Sequence, residues 1–258
     1  MLKNASVIGN AGDPYTSVLA CSRYMHEFGQ ERTYGGMGEI AVSTRKWAQL
    51  NPKALMKDIS MTMDDYLNSR IIAWPFHLFD CCLVTDGGGA CVITSADVAR
   101  NCRKKPVWIL GSAEGHDHGD GVVQQADLVS TIARETGPRA MAMAGITHDD
   151  IDLAMIYDSF TYTVMITLES LGFCGRGEGP DFVANQRTAP GGDFPMNTNG
   201  GGLSYTHTGM YGMFLLLEAA RQLRGECGER QVENCNLSLV NGTGGTLSSC
   251  GTLVLGTD

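Results

Sequence analysis

Residues 153–160 read Leu-Ala-Met-Ile-Tyr-Asp-Ser-Phe. Unbroken apolar character up to Tyr157 predicts a strand covered on both faces, and the apolar run from Phe160 to Leu171 predicts a helix directly after it. Such a strand needs a layer on each side, which points to an α/β fold. Toward the C-terminus a Gly- and Pro-rich loop runs from Gly172 to Gly202. An apolar helix is expected over Thr208 to Arg224, then strands over Asn236 to Val240 and Gly251 to Leu255. Toward the N-terminus the pattern gives a strand at Val107 to Leu110 and helices at Val122 to Arg134 and Arg139 to Ala144, parted at Gly137-Pro138. Further upstream, helices are expected over Tyr15 to Phe28, Gly36 to Asn51, Ser60 to Asn68 and Ser95 to Cys102, with a strand at Ala90 to Ile93. Met1 to Pro14 is weakly patterned. The break Arg103-Lys104-Lys105-Pro106 divides the chain into domains 1–105 and 106–258.

The 258 residues carry 19 Lys and Arg against 28 Asp and Glu, a formal net charge of -9. That balance gives no general electrostatic attraction to nucleic acid or to an anionic membrane surface. No apolar run approaches the roughly 18 residues of a membrane helix. The nine cysteines are odd in number, and Cys81-Cys82 lie in an apolar run, so free thiols and a cytoplasmic setting are expected rather than a disulfide framework.

Four stretches could carry chemistry. Tyr157-Asp158-Ser159-Phe160 stands where a strand gives way to a helix, the edge at which α/β sheets bind ligands. A phenol there donates a hydrogen bond or, with a lowered pKa, accepts a proton; equally, Tyr157 closes the core while Asp158 or Ser159 caps the helix. In Asn199-Gly200-Gly201-Gly202-Leu203-Ser204-Tyr205-Thr206-His207-Thr208-Gly209, glycines deliver one histidine to the expected helix start. A helix N-terminus disfavours imidazolium, so His207 would act as a neutral base, or serve as a polar cap. Asn241-Gly242-Thr243-Gly244-Gly245 follows a strand and presents backbone N–H groups to an oxygen, or is a plain hairpin turn. His116-Asp117-His118 with Asp120 has ligand spacing, but in a polar loop it reads as solvated surface, and no metal is expected.

In order and spacing these pieces resemble the thiolase superfamily, in particular its sterol-carrier-protein-type thiolases and thiolase-like aldolases of steroid side chains. Tyr34 to Pro52, with Arg45-Lys46 and Leu50-Asn51-Pro52, is similar to the segment after the family's loop domain. Asp80 to Thr94, with Thr85-Asp86-Gly87-Gly88-Gly89-Ala90, resembles the strand closing the first thiolase half. Tyr157-Asp158-Ser159-Phe160 stands at the Asn-Glu-Ala-Phe or His-Asp-Cys-Phe motif, His207 at the histidine of Gly-His-Pro, and Asn241 to Gly245 at the final Cys-x-Gly loop. Leu223-Arg224-Gly225-Glu226 is similar to the end of the intervening helix. The resemblance implies a layered αβαβα fold, of which this chain supplies the end of the first half and the complete second half.

It also implies acyl-CoA chemistry, with coenzyme A as part of the substrate and no permanently bound cofactor. The leading expectation is an acyltransferase acting on lipid- or sterol-derived chains. His207 would be its base, Asn241 and Thr243 its oxyanion loop, Tyr157 the group orienting the carbonyl, and Asp158, Ser159 and Phe160 its substrate-binding residues. The family's nucleophilic cysteine would lie in a segment ahead of Met1, and Ser159 and Asn241 stand where acid/base cysteines are usual. A second expectation follows from those replacements: a retro-aldol lyase on a β-hydroxyacyl-CoA, using Tyr157 as acid/base and an OB-fold partner subunit. A third is a non-catalytic scaffold subunit. A homo-oligomer is implied by the resemblance alone.

Overall fold

The structure is a computed structural model that describes residues 14–119 and 124–257. Met1 to Asp13, Asp120 and the first residues of the helix expected at Val122 lie outside the described residues. In chain order the elements are α1 (Pro14–Phe28), α2 (Gln30–Gln49), α3 (Met63–Leu67), β1 (Ile71–Ala73), β2 (Phe76–His77), α4 (Ala96–Arg100), β3 (Trp108–His116), α5 (Ala133–Ala144), β4 (Leu153–Ile156), α6 (Thr161–Leu171), α7 (Gly179–Phe182), α8 (Gly212–Leu223), β5 (Leu237–Gly244) and β6 (Ser249–Gly256).

Four strands form one mixed sheet in the order β3-β6-β5-β4, with β4 parallel to β5 and the other pairs antiparallel. Side chains alternate across it, as the two-residue period of a strand requires. Ala154, Ile156, Leu239 and Val254 enter the larger core, shared with α1, α2, α5 and α6. Leu153, Met155, Val240 and Leu255 enter a second core beneath α8. The sheet therefore lies between helical layers, the α/β arrangement expected from the doubly buried strand.

Several expected boundaries move, for identifiable reasons. Helix α2 begins at Gln30, not Gly36, because Gly36 and Gly38 are contact residues inside the helix and not breakers. A Cβ at Gly36 would come within 2.7 Å of Pro180 Cα, and one at Gly38 within 2.5 Å of Met63 Sδ. Of the two helices expected around Gly137-Pro138, the first, Val122 to Arg134, does not form over residues 125–132, and the second is α5, which begins earlier, at Ala133, and runs through Pro138. Gly137 again marks close packing, since a Cβ there would sit 2.8 Å from Leu171 Cδ2 on α6. Helix α3 starts after Thr62, whose hydroxyl and the Asp65 carboxylate form a reciprocal cap that displaces Ser60 from that role.

The strand expected at Ala90 to Ile93 does not form. Among the described residues nothing pairs with it, and Val84, Val92 and Ile93 are 97%, 93% and 77% exposed. The loop expected from Gly172 to Gly202 holds α7 and ends in a single π-type turn, Gly201–Tyr205. The helix expected from Thr208 begins only at Gly212, because Thr206 is extended and Gly209 takes φ +77°. All nine cysteines are free. Among the described residues no helix is long and apolar enough to cross a membrane.

Candidate active site

Beyond the end of β4 the burial of residues 157–160 still alternates, as along a strand. Tyr157 and Ser159 face the open end of the sheet, while Asp158 and Phe160 are buried. Tyr157 donates its amide to Asn241 O across to β5, which continues the parallel pairing and fixes where the phenol stands.

His207 reaches the same place from the other side. The turn Gly201–Tyr205 is closed by Thr206 N–H donating to Gly201 O (3.3 Å) and Ser204 N–H donating to Gly200 O (2.9 Å). The segment after α2 grips the turn, with Leu55 and Met56 donating their amides to Tyr205 O and Ser204 O. Arg45 of α2 donates to Ser204 Oγ at 2.9 Å. Thr85 fixes the histidine backbone from the opposite side. His207 N–H donates to Thr85 Oγ1 at 3.0 Å, Thr85 N–H donates to His207 O at 3.1 Å, and the Thr85 and Thr206 hydroxyls meet at 2.6 Å. Thr85 was not among the residues expected at the site, and no short-range pattern points to it.

The rings of Tyr157 and His207 meet edge to face, with centroids 5.5 Å apart and planes at 90°. Tyr211 completes the cluster, lying nearly parallel to His207 at 5.8 Å and edge-on to Tyr157 at 5.8 Å. The Tyr157 hydroxyl donates to Gly209 O at 3.4 Å and accepts from the Tyr211 N–H at 3.4 Å. His207 Nδ1 accepts from Gly209 N–H at 3.4 Å, which assigns the proton of the neutral ring to Nε2. No described residue bonds that buried Nε2. Burial pushes the imidazole below its usual pKa, so it is neutral at pH 7. Neutrality was expected from a helix N-terminus. The helix starts five residues later, and burial is the cause instead.

A hollow of about 180 Å³ opens between Tyr157, Ser159, His207, Thr243 and Leu247, with Ser17 of α1 at its side. A second, of about 320 Å³, adjoins it and shares Tyr157, Thr243 and Gly244. No cysteine stands among the described residues lining the smaller hollow. Cys250 borders the larger one, but burial raises its thiol pKa, which suppresses the thiolate.

Three residues expected at the substrate stand elsewhere. Asn241 belongs to strand β5, not a loop, and is fully buried, donating to Thr252 Oγ1 at 2.7 Å on the α5 side of the sheet. The extended ladder from Asn241 to Gly244 pairs with Ser249 to Thr252 and pushes the reversal to Gly245–Ser248. Asp158 lies beneath the glycine turn, where Oδ1 accepts from Gly202 N–H at 2.7 Å and Oδ2 from Leu203 N–H at 3.2 Å. Phe160 stacks on Phe76 with centroids 4.9 Å apart, inside the larger core. Ser159 does face the hollow, its hydroxyl 3.2 Å from that of Thr163. His116 ends strand β3, while His118 meets Asp117 at 2.5 Å and Thr246 O at 3.2 Å. Among the described residues no three ligating side chains converge to hold a metal.

The family described as thiolase C-terminal domain-like matches residues 113–257. A steroid side-chain-cleaving aldolase of Thermomonospora curvata is 38% identical over 240 residues, spanning 92% of this chain and 60% of its own. A 17-hydroxy-3-oxo-4-pregnene-20-carboxyl-CoA lyase of Mycobacterium tuberculosis is 40% identical over 216 residues, 80% of this chain and 54% of its own. An acetyl-CoA acetyltransferase of Methanothermobacter thermautotrophicus is 32% identical over 90% of this chain and 60% of its own. Among solved structures, an Ltp2-ChsH2(DUF35) aldolase superposes with TM-score 0.88 at 35% identity, covering 96% of this chain and 64% of that one. The chain thus spans a little over half to two thirds of the length of these relatives. Its fold is thiolase-like, and the chain belongs to the thiolase C-terminal domain-like family.

Proposed function

We propose that this chain carries part of the active site of a retro-aldol lyase that cleaves a β-hydroxyacyl-CoA derived from a steroid side chain. The observation that carries the reading is the Tyr157–His207 pair, edge to face at the mouth of one hollow. Carbon–carbon cleavage needs a base at the hydroxyl and a donor at the thioester oxygen. Tyr157 suits the first role and His207 Nε2–H the second.

In this reading Tyr157 first loses to solvent the proton it donates to Gly209 O, and its oxygen, facing the Tyr211 N–H, is then the base. It takes the proton of the β-hydroxyl as the oxygen becomes a carbonyl. The bond between the β- and α-carbons breaks, and its electron pair moves into the thioester as an enolate. The neutral imidazole hydrogen-bonds the enolate oxygen without supplying a full charge. Tyr157 then returns its proton to the α-carbon, which regenerates the phenolate and releases a ketone and a shortened acyl-CoA. With a 17-hydroxysteroid bearing a 20-carboxyl-CoA group, the shortened product is propionyl-CoA.

The names of the relatives support this reading over the acyltransferase expected first. One relative carries the acyltransferase name at 32% identity, while two above it are named as an aldolase and a lyase. The solved relative named with a DUF35 component supports the proposal that a partner subunit completes this enzyme. The test is propionyl-CoA release from that substrate by the full-length protein with its partner. Tyr157→Phe should lower turnover by roughly two to four orders of magnitude. Unchanged turnover, or thiolysis of a 3-oxoacyl-CoA in its place, would remove Tyr157 from this role.

A further inference from the structure

We propose that Asp158 is a positioning residue whose ionised carboxylate holds the glycine turn and, through it, sets His207 against Tyr157. The chemical role of that pair rests on the lyase reading above; the mechanical link does not.

Asp158 is fully buried, and its two carboxylate oxygens accept from the consecutive amides of Gly202 and Leu203. Two fixed acceptor oxygens facing two successive N–H groups impose one orientation on a peptide segment. There is no slack around them. A Cβ at Gly201 would lie 2.0 Å from Asp158 Oδ2. One at Gly202 would lie 3.1 Å from Oδ1 and 2.7 Å from His207 Cδ2. Carboxylate, turn and imidazole are thus stacked in direct contact, and both glycines are needed for it.

The groups around Asp158 do not neutralise it. Arg45 reaches the turn from α2 but spends its bond on Ser204. From the approach to α8, the Tyr211 phenol donates to Asn199 Oδ1 at 2.9 Å. His207 is neutral, and Tyr157, next in sequence, faces the hollow. Among the described residues no cation forms an ion pair with Asp158. Burial raises its pKa to about 7 against the opposing pull of the two amides. Protonation converts one acceptor into a donor aimed at an N–H, so proton uptake loosens the turn.

The experiment follows the amide and imidazole signals by NMR between about pH 5.5 and about pH 8.5 in the full-length protein with its partner. In the unmodified protein the Gly202 and Leu203 amides should titrate together near neutrality, and the His207 ring should show the same inflection besides its own. Asp158→Asn should remove the shared inflection. In the lyase assay the variant should lower kcat by roughly ten- to a hundred-fold with a smaller change in KM, and flatten the acid limb of the pH profile. If the variant does not fold, the unmodified amides still decide. Amides that do not move across this range overturn the proposal, as does a variant with the parental His207 titration. The shared inflection in a protein that cleaves no β-hydroxyacyl-CoA supports the positioning role and refutes the lyase reading alone.

Discussion

Replacing Asp158 by Asn should move the stability difference between variant and parent in the variant's favour as pH rises toward neutrality, although it deletes a hydrogen-bonded carboxylate. The carboxyl titrates at about 7 when folded, against an ordinary value of 3.8. The folded state therefore holds this proton more tightly than the unfolded chain. Between those two values stability falls as pH rises, because unfolding releases the proton. The gap of roughly three units, at about 1.4 kcal/mol each, corresponds to about 4 kcal/mol lost by the time Asp158 is fully ionised. Urea unfolding of parent and variant from about pH 5 to about pH 8 samples roughly two of those units, so the difference between them should shift by about 3 kcal/mol in favour of Asn. Taking the difference cancels the other titrating groups. A flat difference, or a parent that gains on the variant as pH rises, would refute the argument that burial governs this carboxyl. A charge kept at that cost, with no counter-ion among the described residues, is the physical ground for treating Asp158 as part of the machinery and not as packing.

Gly35→Ala should raise stability by about 0.5–1 kcal/mol, since Gly35 is an exposed helix-interior glycine whose Cβ would meet nothing within 4 Å. Gly36→Ala, one residue on, should cost about 1–3 kcal/mol because its Cβ would press on Pro180; equal thermal shifts in the two variants would contradict the packing of α2. Glu218 accepts bonds from Thr198 and from both Arg230 Nε (2.7 Å) and Nη2 (3.0 Å) while almost fully buried. Glu218→Gln should then cost about 3–5 kcal/mol in chemical denaturation, and a loss under 1 kcal/mol would show that the guanidinium finds other partners. Thr85→Val removes the hydroxyl that accepts from His207 N–H, and should cost about 1 kcal/mol of stability together with a fall in kcat; parental kcat would show that Thr85 does not set the histidine.

The architecture was legible wherever it depends on local pattern. Leu153 to Ile156 is apolar at every position, and it forms the doubly buried strand β4. Helices α1, α6 and α8 follow their apolar spacing to within a few residues. The misread glycines and the misread Asn241 stretch share one cause, namely contacts between residues far apart in sequence. Gly36, Gly38 and Gly137 resemble helix breakers until Pro180, Met63 and Leu171 are brought against them. The Asn241 stretch resembles a loop until β6 pairs with it. At the site, Tyr157 and His207 were recognisable because their chemistry is unusual for their positions. Thr85 was not, being an ordinary threonine 122 residues from the backbone it holds.

The apolar stretch around Val92 and Ile93, unpaired among the described residues, also bears on how this chain on its own behaves in a tube. Extended chain with bare amides and β-branched side chains is a template onto which a neighbouring molecule adds a strand. Concentrated solutions of this chain alone will therefore tend to form ladders between molecules, with turbidity rising steeply with concentration. Lysine substitutions at Val92 and Ile93 are the direct way to keep it colloidally clear.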